Sequence, residues 1–382
     1  MDAFARLRVS NSTTIFDSKQ LQDTDGYAWA TKITGNATSS FVSNNSCYRL
    51  TTTGNPSSVI RQTKDRHPYQ PGKSHLVICT GNLSGSAANV IKRIGYFDQN
   101  NGIGFALSGS SFGVFLRTNT SGTPVDTFVS QSAWNLDKYD GTGISGKSIN
   151  LNKSQIYFID FAWLGVGRVR YGIFQGGIPT YVHQITNINS LDTVYMKSPN
   201  LPVRYEIVNS GSTAQSMLHI CSTVISEGGF ENTGPIRAVA NPSGQTLNSG
   251  LYSGMIALRL KSGSLDGTAT PININSGQTT ANVVYELSLL VNPSGSLNWN
   301  WQDLPNSVVQ FATGSSAQAI ATEGTKIFSA INAGTTSTND IPFDPTFTLG
   351  SDVDGVQDVL VLAWRGISGN ASNAATSLTW RE

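Results

Sequence analysis

Gln155 to Phe174 reads QIYFIDFAWLGVGRVRYGIF, and its alternation decides the fold class. Tyr157, Ile159, Phe161 and Trp163 share one side of an extended chain. Val169, Tyr171 and Ile173 share one side of the next segment, with Arg168 and Arg170 on the other. A period of two belongs to strands, because successive side chains of a pleated backbone point to opposite faces. Gly165 and Gly167 flank Val166 and tolerate the positive φ of a hairpin turn. The stretch therefore predicts two antiparallel strands joined by a tight glycine turn. Asp160 sits mid-strand on the face opposite the aromatic residues. No second acid occurs in this strand pair, so Asp160 is expected to form a cross-strand pair with an arginine rather than to work as a catalytic acid.

Working outward, short apolar runs recur between clusters of Gly, Ser, Asn and Pro. Strands are expected at Ser57–Gln62, His75–Thr80, Val90–Tyr96, Gly102–Leu107, Phe112–Arg117, Thr127–Ser130, Thr180–Ile185, Val203–Val208 and His219–Ile225. Residues 226–236, SEGGFENTGPI, carry three glycines and a proline and read as a domain boundary. Beyond it, strands are expected at Ser253–Leu260, Ala281–Val291, Ser307–Thr313, Asp358–Trp364 and Ser377–Glu382, with one short helix possible in Ala317–Ala330. The expectation is an all-β chain of two β-sandwich, jelly-roll-like domains, 21–227 and 228–382, behind an N-terminal arm of residues 1–20. In that arm Arg6 and Arg8 interleave with Leu7 and Val9, the pattern of a strand that adds to another sheet. No repeat of fixed period is visible, which argues against a propeller or solenoid.

Composition supports folded cores and excludes several classes. Hydrophobic residues make up 38% of the 382 residues, enough to build cores, while charged residues are only 13%. No apolar run reaches the roughly 20 residues of a membrane helix. MDAFARLRVS has no apolar core of a secretory signal. The net charge of +1 hides an asymmetry. Residues 1–227 hold 19 Lys/Arg against 13 Asp/Glu, and residues 228–382 hold 6 against 11. Neither part is basic enough to predict a nucleic-acid partner, but opposite signs predict different neighbours. Cys47, Cys79 and Cys221 are odd in number and far apart, which predicts buried free thiols rather than disulfides.

Several groups invite a functional reading. RQTKDRHPYQPGK places Arg61, Lys64, Arg66, Tyr69 and Lys73 in a basic stretch fixed by prolines. It is either a solvated turn or, with Arg6 and Arg8, a docking surface for an acidic protein or an anionic glycan. His67 and His75, eight apart, do not match zinc-ligand spacing. GVGRVRYG lacks the helix that a phosphate loop needs. Gly109-Ser110-Ser111-Phe112-Gly113 has the letters of a nucleophile elbow, but strand-like runs on both sides predict a hairpin turn. SDVDGVQD presents Asp352, Asp354 and Asp358 without the closing Glu of a calcium loop, so they are weak metal candidates and an acidic turn is expected. Trp299 and Trp301, two apart in LNWNWQD, face one way along an extended segment. Exposed, they would stack on sugar rings; buried, they would be core. No cofactor is expected.

Longer blocks carry a family resemblance: AFARLRVS (3–10), VIRQTK (59–64), YQPGKS (69–74), KRIGYFD (92–98), WNLDKYDGTGISG (134–146), FIDFAWLGVGRVRYG (158–172), SPNLPVRYEI (198–207) and CSTVISEGG (221–229). The chain resembles a family of structural virion proteins found in tailed phages, especially marine and cyanobacterial ones, and in some large DNA viruses. The likeness covers most of residues 3–231 and extends weakly to the closing SLTWRE. It implies a structural protein of the virus particle, without enzyme activity. Capsid decoration or cement protein and fibre component are favoured; a tail or baseplate part, or a host-glycan adhesin with a lectin-like domain, is the alternative. It further implies a homo-oligomer, with a trimer favoured, and contacts with other virion proteins such as the major capsid protein or tail proteins. Host surface glycan is a further candidate partner; nucleic acid and membrane insertion are not expected. The expected location is the virion, after synthesis in the host cytoplasm. In this scheme the basic first domain docks on the particle and the acidic second one oligomerises or projects.

Overall fold

The computed structural model describes residues 11–22, 26–54, 56–231, 233–247, 250–279, 283–314, 318–333, 335–340, 347–368 and 371–382. The chain is all-β and divides into two units, Met1–Glu231 and Asn232–Glu382.

The stretch 155–174 forms the strands Gln155–Phe161 and Val169–Gln175, paired antiparallel with Asp160 opposite Arg170. Tyr157, Ile159, Phe161, Val169, Tyr171 and Ile173 all lie in the core, each at most 2% exposed. The turn differs from the expectation. Positive φ falls at Leu164 (40°) and Gly165 (75°), while Gly167 is needed for space. A Cβ at Gly167 would come within 1.7 Å of the Ala162 carbonyl oxygen. Trp163 lies beyond the strand end, and its Nε1 donates to the Met196 carbonyl at 3.1 Å.

Around this hairpin the first unit builds two antiparallel sheets. One runs, in spatial order, Ile178–Ile185, Val169–Gln175, Gln155–Phe161, His75–Asn82, Gln215–Ser226, Cys47–Thr52, Ala37–Val42. Thr13–Lys19 pairs with the second half of Gln215–Ser226. The segment expected to be an arm thus contributes a strand to its own unit, because Ile15 and Phe16 are buried in that core. Arg6 and Arg8 lie outside the described residues. The other sheet runs Val125–Ser130, Ser111–Thr118, Gly102–Ser108, Val90–Phe97, Val203–Asn209, Ser57–Thr63, Trp29–Thr34. The two sheets enclose one aromatic-rich core, in which Phe105 of the second sheet meets Tyr157 of the first at 4.9 Å. Tyr171 spans the sandwich and donates from its hydroxyl to the Phe115 carbonyl at 2.9 Å.

The second unit is also a sandwich. One sheet runs Ile236–Leu247, Ala371–Arg381, Thr270–Gly277, Thr336–Asp340. The facing sheet runs Ser294–Ser296, Ala319–Thr322, Tyr252–Leu260, Leu360–Ser368, Val284–Val291, Thr325–Ala333. Val309–Thr313 pairs with the later half of Tyr252–Leu260 and carries the short strand Gln302–Asp303. The core between the sheets is aliphatic, with Trp364 stacked on Tyr285 at 3.8 Å. No helix forms in the described part of 317–330. Ala319–Thr322 and Thr325–Ala333 are strands, because β-branched residues alternate there and Gly324, at φ +66°, breaks the run.

Among the described residues no helix is long and apolar enough to cross a membrane.

Candidate functional site

The expected docking surface folds inward. The strand Ser57–Thr63 places Val59, Arg61 and Thr63 on its core side, so Arg61 follows Val59 into the interior and is 3% exposed. Its Nε donates to His219 Nδ1 at 3.2 Å, Nη1 donates to Thr31 Oγ1 at 3.1 Å, and its guanidinium lies 3.5 Å from the Tyr48 ring centre. Arg66 is buried against Asp98 at 3.4 Å. Tyr69 is buried with its ring stacked on Phe161. Lys73 donates to Gln70 Oε1 at 2.8 Å and reaches Glu231 at 3.7 Å; Lys64 is half-buried. His67 is buried beside Phe16 and Tyr96, and His75 beside Tyr69 and Phe161. Burial lowers both imidazoles to about 3, which keeps them neutral. Arg61, Arg66, His67 and Tyr69 are therefore interior residues, while Lys64 and Lys73 stay half-buried.

Several other charges of the first unit pair within it. On the second sheet's face away from the core, Glu206 pairs with Arg93 at 2.6 Å and Arg204 at 2.7 Å. Asp126 pairs with Arg117 at 2.6 Å and with Arg93 at 3.1 Å. Burial alone would raise the Glu206 carboxyl, but Arg204, Arg93 and Arg117 outweigh it and hold the group below its ordinary value. Asp160 pairs with Arg170 and accepts from the Tyr181 hydroxyl at 2.9 Å, in line with the structural role expected of it. Gly109 and Ser110 are the two-residue loop of a hairpin in which Ser108 faces Ser111.

The acidic turn is a backbone device. Asp352 Oδ1 accepts from the amides of Asp354 at 2.9 Å and Val356 at 2.8 Å. Asp358 accepts from Asn292 Nδ2 at 2.6 Å. Among the described residues no cluster of three His, Cys, Asp or Glu side chains is placed to hold a metal. All three cysteines are free, with Cys221 only half-buried.

What remains is the outward face of one sheet of the second unit, meaning the face turned from that unit's own core. Ala257, Leu290, Val361 and Ala363 form its apolar floor. The segment LNWNW at 297–301 crosses this floor between two anchors. Ser294–Ser296 pairs with Ala319–Thr322, and Gln302–Asp303 pairs with Val309–Thr313. The Gln318 side chain pins the segment by accepting from the Asn298 amide and donating to its carbonyl, both at 2.7 Å. Period two turns Leu297, Trp299 and Trp301 onto the floor and leaves Asn298 and Asn300 exposed. Both Trp rings are half-buried, with centres 6.4 Å apart. Gly254 makes room for Trp299, since a Cβ there would lie 2.8 Å from its Cη2. Trp301 carries the Arg259 guanidinium 4.1 Å from its ring centre. The pair is thus neither core nor a bare platform, and Arg259 already occupies one face of Trp301.

Further along this face lies a network that sequence reasoning missed. Glu286 accepts from Ser288 at 3.0 Å, Ser329 at 2.6 Å, Lys326 at 3.1 Å and Arg365. Burial would raise the Glu286 carboxyl, but its hydrogen bonds from Ser329, Tyr252, Lys326 and Ser288 lower it to about 2. Both oxygens of an ionised carboxylate are occupied. The signal was present as alternation, since Glu286 and Ser288 interleave with the core residues Tyr285, Leu287 and Leu289. What could not be read was which strands bring Arg365 and Lys326 alongside.

No protein-family model and no curated protein sequence matches the chain. Solved structures do match. The Emp47p carbohydrate recognition domain is 11% identical over 58% of this chain and 99% of its own, with a TM-score of 0.37. A glycoside hydrolase family 16 endo-glucanase from Bacteroides ovatus is 8% identical over 55% of this chain and 99% of its own, with a TM-score of 0.38. The CBM2 module of the evolved Dit of Lactobacillus casei phage J-1 is 8% identical over 56% of this chain and 96% of its own, with a TM-score of 0.35. The expectation that the chain lacks enzyme activity is corrected here, since the matched structures include an enzyme and the exclusion therefore falls. The β-sandwich of each unit is given by the chain's own facing sheets.

Proposed function

We propose that the chain is a surface component of a virus particle, of the capsid-decoration or fibre type, built from two β-sandwich units. The observation that carries this reading is where the family-like stretches meet. They lie far apart in sequence yet lock one another in the first unit. Tyr96 of KRIGYFD accepts from the amide of Leu201 in SPNLPVRYEI at 3.3 Å. Tyr69 of YQPGKS donates its amide to Asn200 at 2.9 Å. Gln62 of VIRQTK accepts from Arg204 at 3.4 Å, and Tyr205 bonds Ser222 of CSTVISEGG at 3.0 Å. The Tyr69 ring stacks on Phe161 of the opening hairpin. A likeness spread over mutually dependent residues supports a shared architecture rather than shared short motifs. In this reading the chain self-associates, with a trimer favoured, and contacts other virion proteins. Quantitative mass spectrometry and antibody labelling of intact purified particles test it. Many copies per particle, labelled without disruption, are expected; absence from particles sinks the reading.

The tryptophan segment favours a second role, contact with host glycan through the second unit. Its half-buried indoles lie on an outward face, and neither Nε1 has a protein partner among the described residues. A glycan array probed with the full chain tests this, and no binding at high protein concentration rejects it.

A further inference from the structure

The second unit carries six Lys/Arg against ten Asp/Glu. In such an acidic unit a cation finds a carboxylate easily. Arg237, Lys326 and Arg365 do so, while Arg381 donates to the Gly234 carbonyl at 3.1 Å. Arg259 and Lys261 do not either, although they stand two residues apart, Arg259 near the end of one strand and Lys261 just past it. Arg259 is held by neutral groups. Its Nε donates to Gln310 Oε1 at 2.8 Å, and Gln310 in turn donates to Asp303 Oδ1 at 2.9 Å. Register places Gln310 directly opposite Arg259 and Asp303 directly opposite Gln310, so this carboxylate sits two strands away. The Trp301 ring supports the guanidinium from one side. Lys261 donates from Nζ to the Leu304 carbonyl at 2.9 Å. Both side chains are only half-buried, and among the described residues neither has a carboxylate within ion-pair distance.

A cation that is partly desolvated, fixed in pose and left without a counter-charge attracts an anion more strongly than a mobile surface lysine does. A planar guanidinium with its Nε already engaged keeps its terminal nitrogens for a planar carboxylate. The adjoining indole edges and the exposed amides of Asn298 and Asn300 suit a ring bearing hydroxyls. Resting on the glycan-contact reading above, we propose that the corner formed by Arg259, Lys261 and Trp301 binds the carboxylate of an acidic sugar, so that the glycans this unit selects are uronate- or sialate-bearing. An acidic peptide would satisfy the two cations but would leave the indole face without a ring to stack on.

The probe pair that isolates the claim is oligogalacturonate and its methyl ester, which share the sugar backbone and differ at the carboxyl group, charged in one and esterified in the other. With the full chain at low salt, the acid is expected to bind at least about tenfold tighter than the ester, with the preference shrinking as salt rises. Arg259→Gln combined with Lys261→Gln is expected to abolish the preference without moving the thermal melt, and Arg259→Lys to restore part of it. Equal affinity for acid and ester, or a preference that survives the double variant, overturns the inference. So does equally tight binding of polyglutamate, which would mark a general polyanion patch. A neutral glycan panel separates the two levels. Tryptophan-dependent binding of neutral glycans without acid preference overturns only this inference, whereas no binding of any glycan also removes the reading on which it rests.

Discussion

The two units solve the same architectural problem with opposite placements of their polar groups. Between its sheets the first buries Arg61, His67, His75 and His219, each at most 3% exposed. Lys92 joins them, its ammonium held by the carbonyls of Leu83 at 2.6 Å and Gly85 at 2.9 Å and by Gln215 at 2.9 Å. The second unit fills its core with Leu, Ile, Val and Trp and keeps the Glu286 network on the outward face. Both arrangements satisfy the rule that buried polar groups find partners. They differ in what they are sensitive to. All four histidines belong to the first unit, so its stability is tied to protonation in a way that the second unit's is not.

That difference gives the largest expected effect. Burial holds His67 and His75 at about 3, against about 6.5 in an unfolded chain. A folded-state pKa below the unfolded one gives stability that is complete above pH 6.5 and is lost as pH falls toward 3. At pH 5 each buried neutral imidazole costs about 2 kcal/mol, or about 4 kcal/mol for the two. His219, lowered by burial and by the Arg61 charge, adds to the loss. The second unit should hold its stability over this window. Glu286, lowered to about 2, withdraws its contribution only as pH falls below about 4.5. Pulse proteolysis of the full chain in urea, resolved by peptide, at pH 8, 6 and 5 compares the units directly. Parallel loss in both units would break the contrast.

The buried carboxylates sharpen it. Glu206 has a 6% exposed side chain, and its partners Arg204 and Arg93 are only 3% and 15% exposed. Glu206→Gln takes the carboxylate from the desolvated Arg204 and leaves Arg93 with Asp126 alone, and is expected to cost about 3 kcal/mol. Glu286 is equally hidden, yet Arg365 and Lys326 are 34% and 31% exposed and can turn to water. Glu286→Gln is therefore expected to cost only about 1–2 kcal/mol. Urea midpoints of the two variants rank them, and a larger loss for Glu286→Gln would show that exposure of the partners does not set the scale.

How much of this could be read beforehand follows from where alternation is clean. Gln155–Phe174 showed it, and the strands and their buried faces follow from it. Ala37–Val42 and Cys47–Thr52, ATSSFV and CYRLTT, are polar enough to pass for loop; Cys47–Thr52 forms a strand by pairing with Gln215–Ser226, and Ala37–Val42 forms one by pairing with Cys47–Thr52. Ile236–Leu247 contains Pro242 and Gly244, which signal a break; the sheet absorbs them by shifting register between Asn241 and Gln245. In the basic stretch the parity is visible, since Val59 and Arg61 lie on one side of the strand. Alternation, not charge, decides where Arg61 points. Trp299 and Trp301 do share a side, but Arg259 lies about 40 residues away and reaches Trp301 only through the pairing of Tyr252–Leu260 with Val309–Thr313. Pairing of distant strands is the part of a β-fold that local pattern does not encode.

The smallest expected effect separates cover from core within the second unit. Trp364 is fully buried and stacked on Tyr285, so Trp364→Ala removes packed volume and is expected to cost about 3–5 kcal/mol. Trp299 rests half-buried over Gly254 on the outward face, so Trp299→Ala exposes a shallow floor that water can reach and should cost only about 1 kcal/mol. Gly254→Ala places a methyl group 2.8 Å from the Trp299 ring and should displace it at a similar small cost, changing Trp fluorescence without changing the fold. If either variant destabilises as strongly as Trp364→Ala, the tryptophan segment is structural and the outward face is an extension of the core. A small cost, together with loss of glycan binding, would mean that this face is kept for contact, since a half-exposed indole that contributes little to stability is costly to leave in water unless something else covers it.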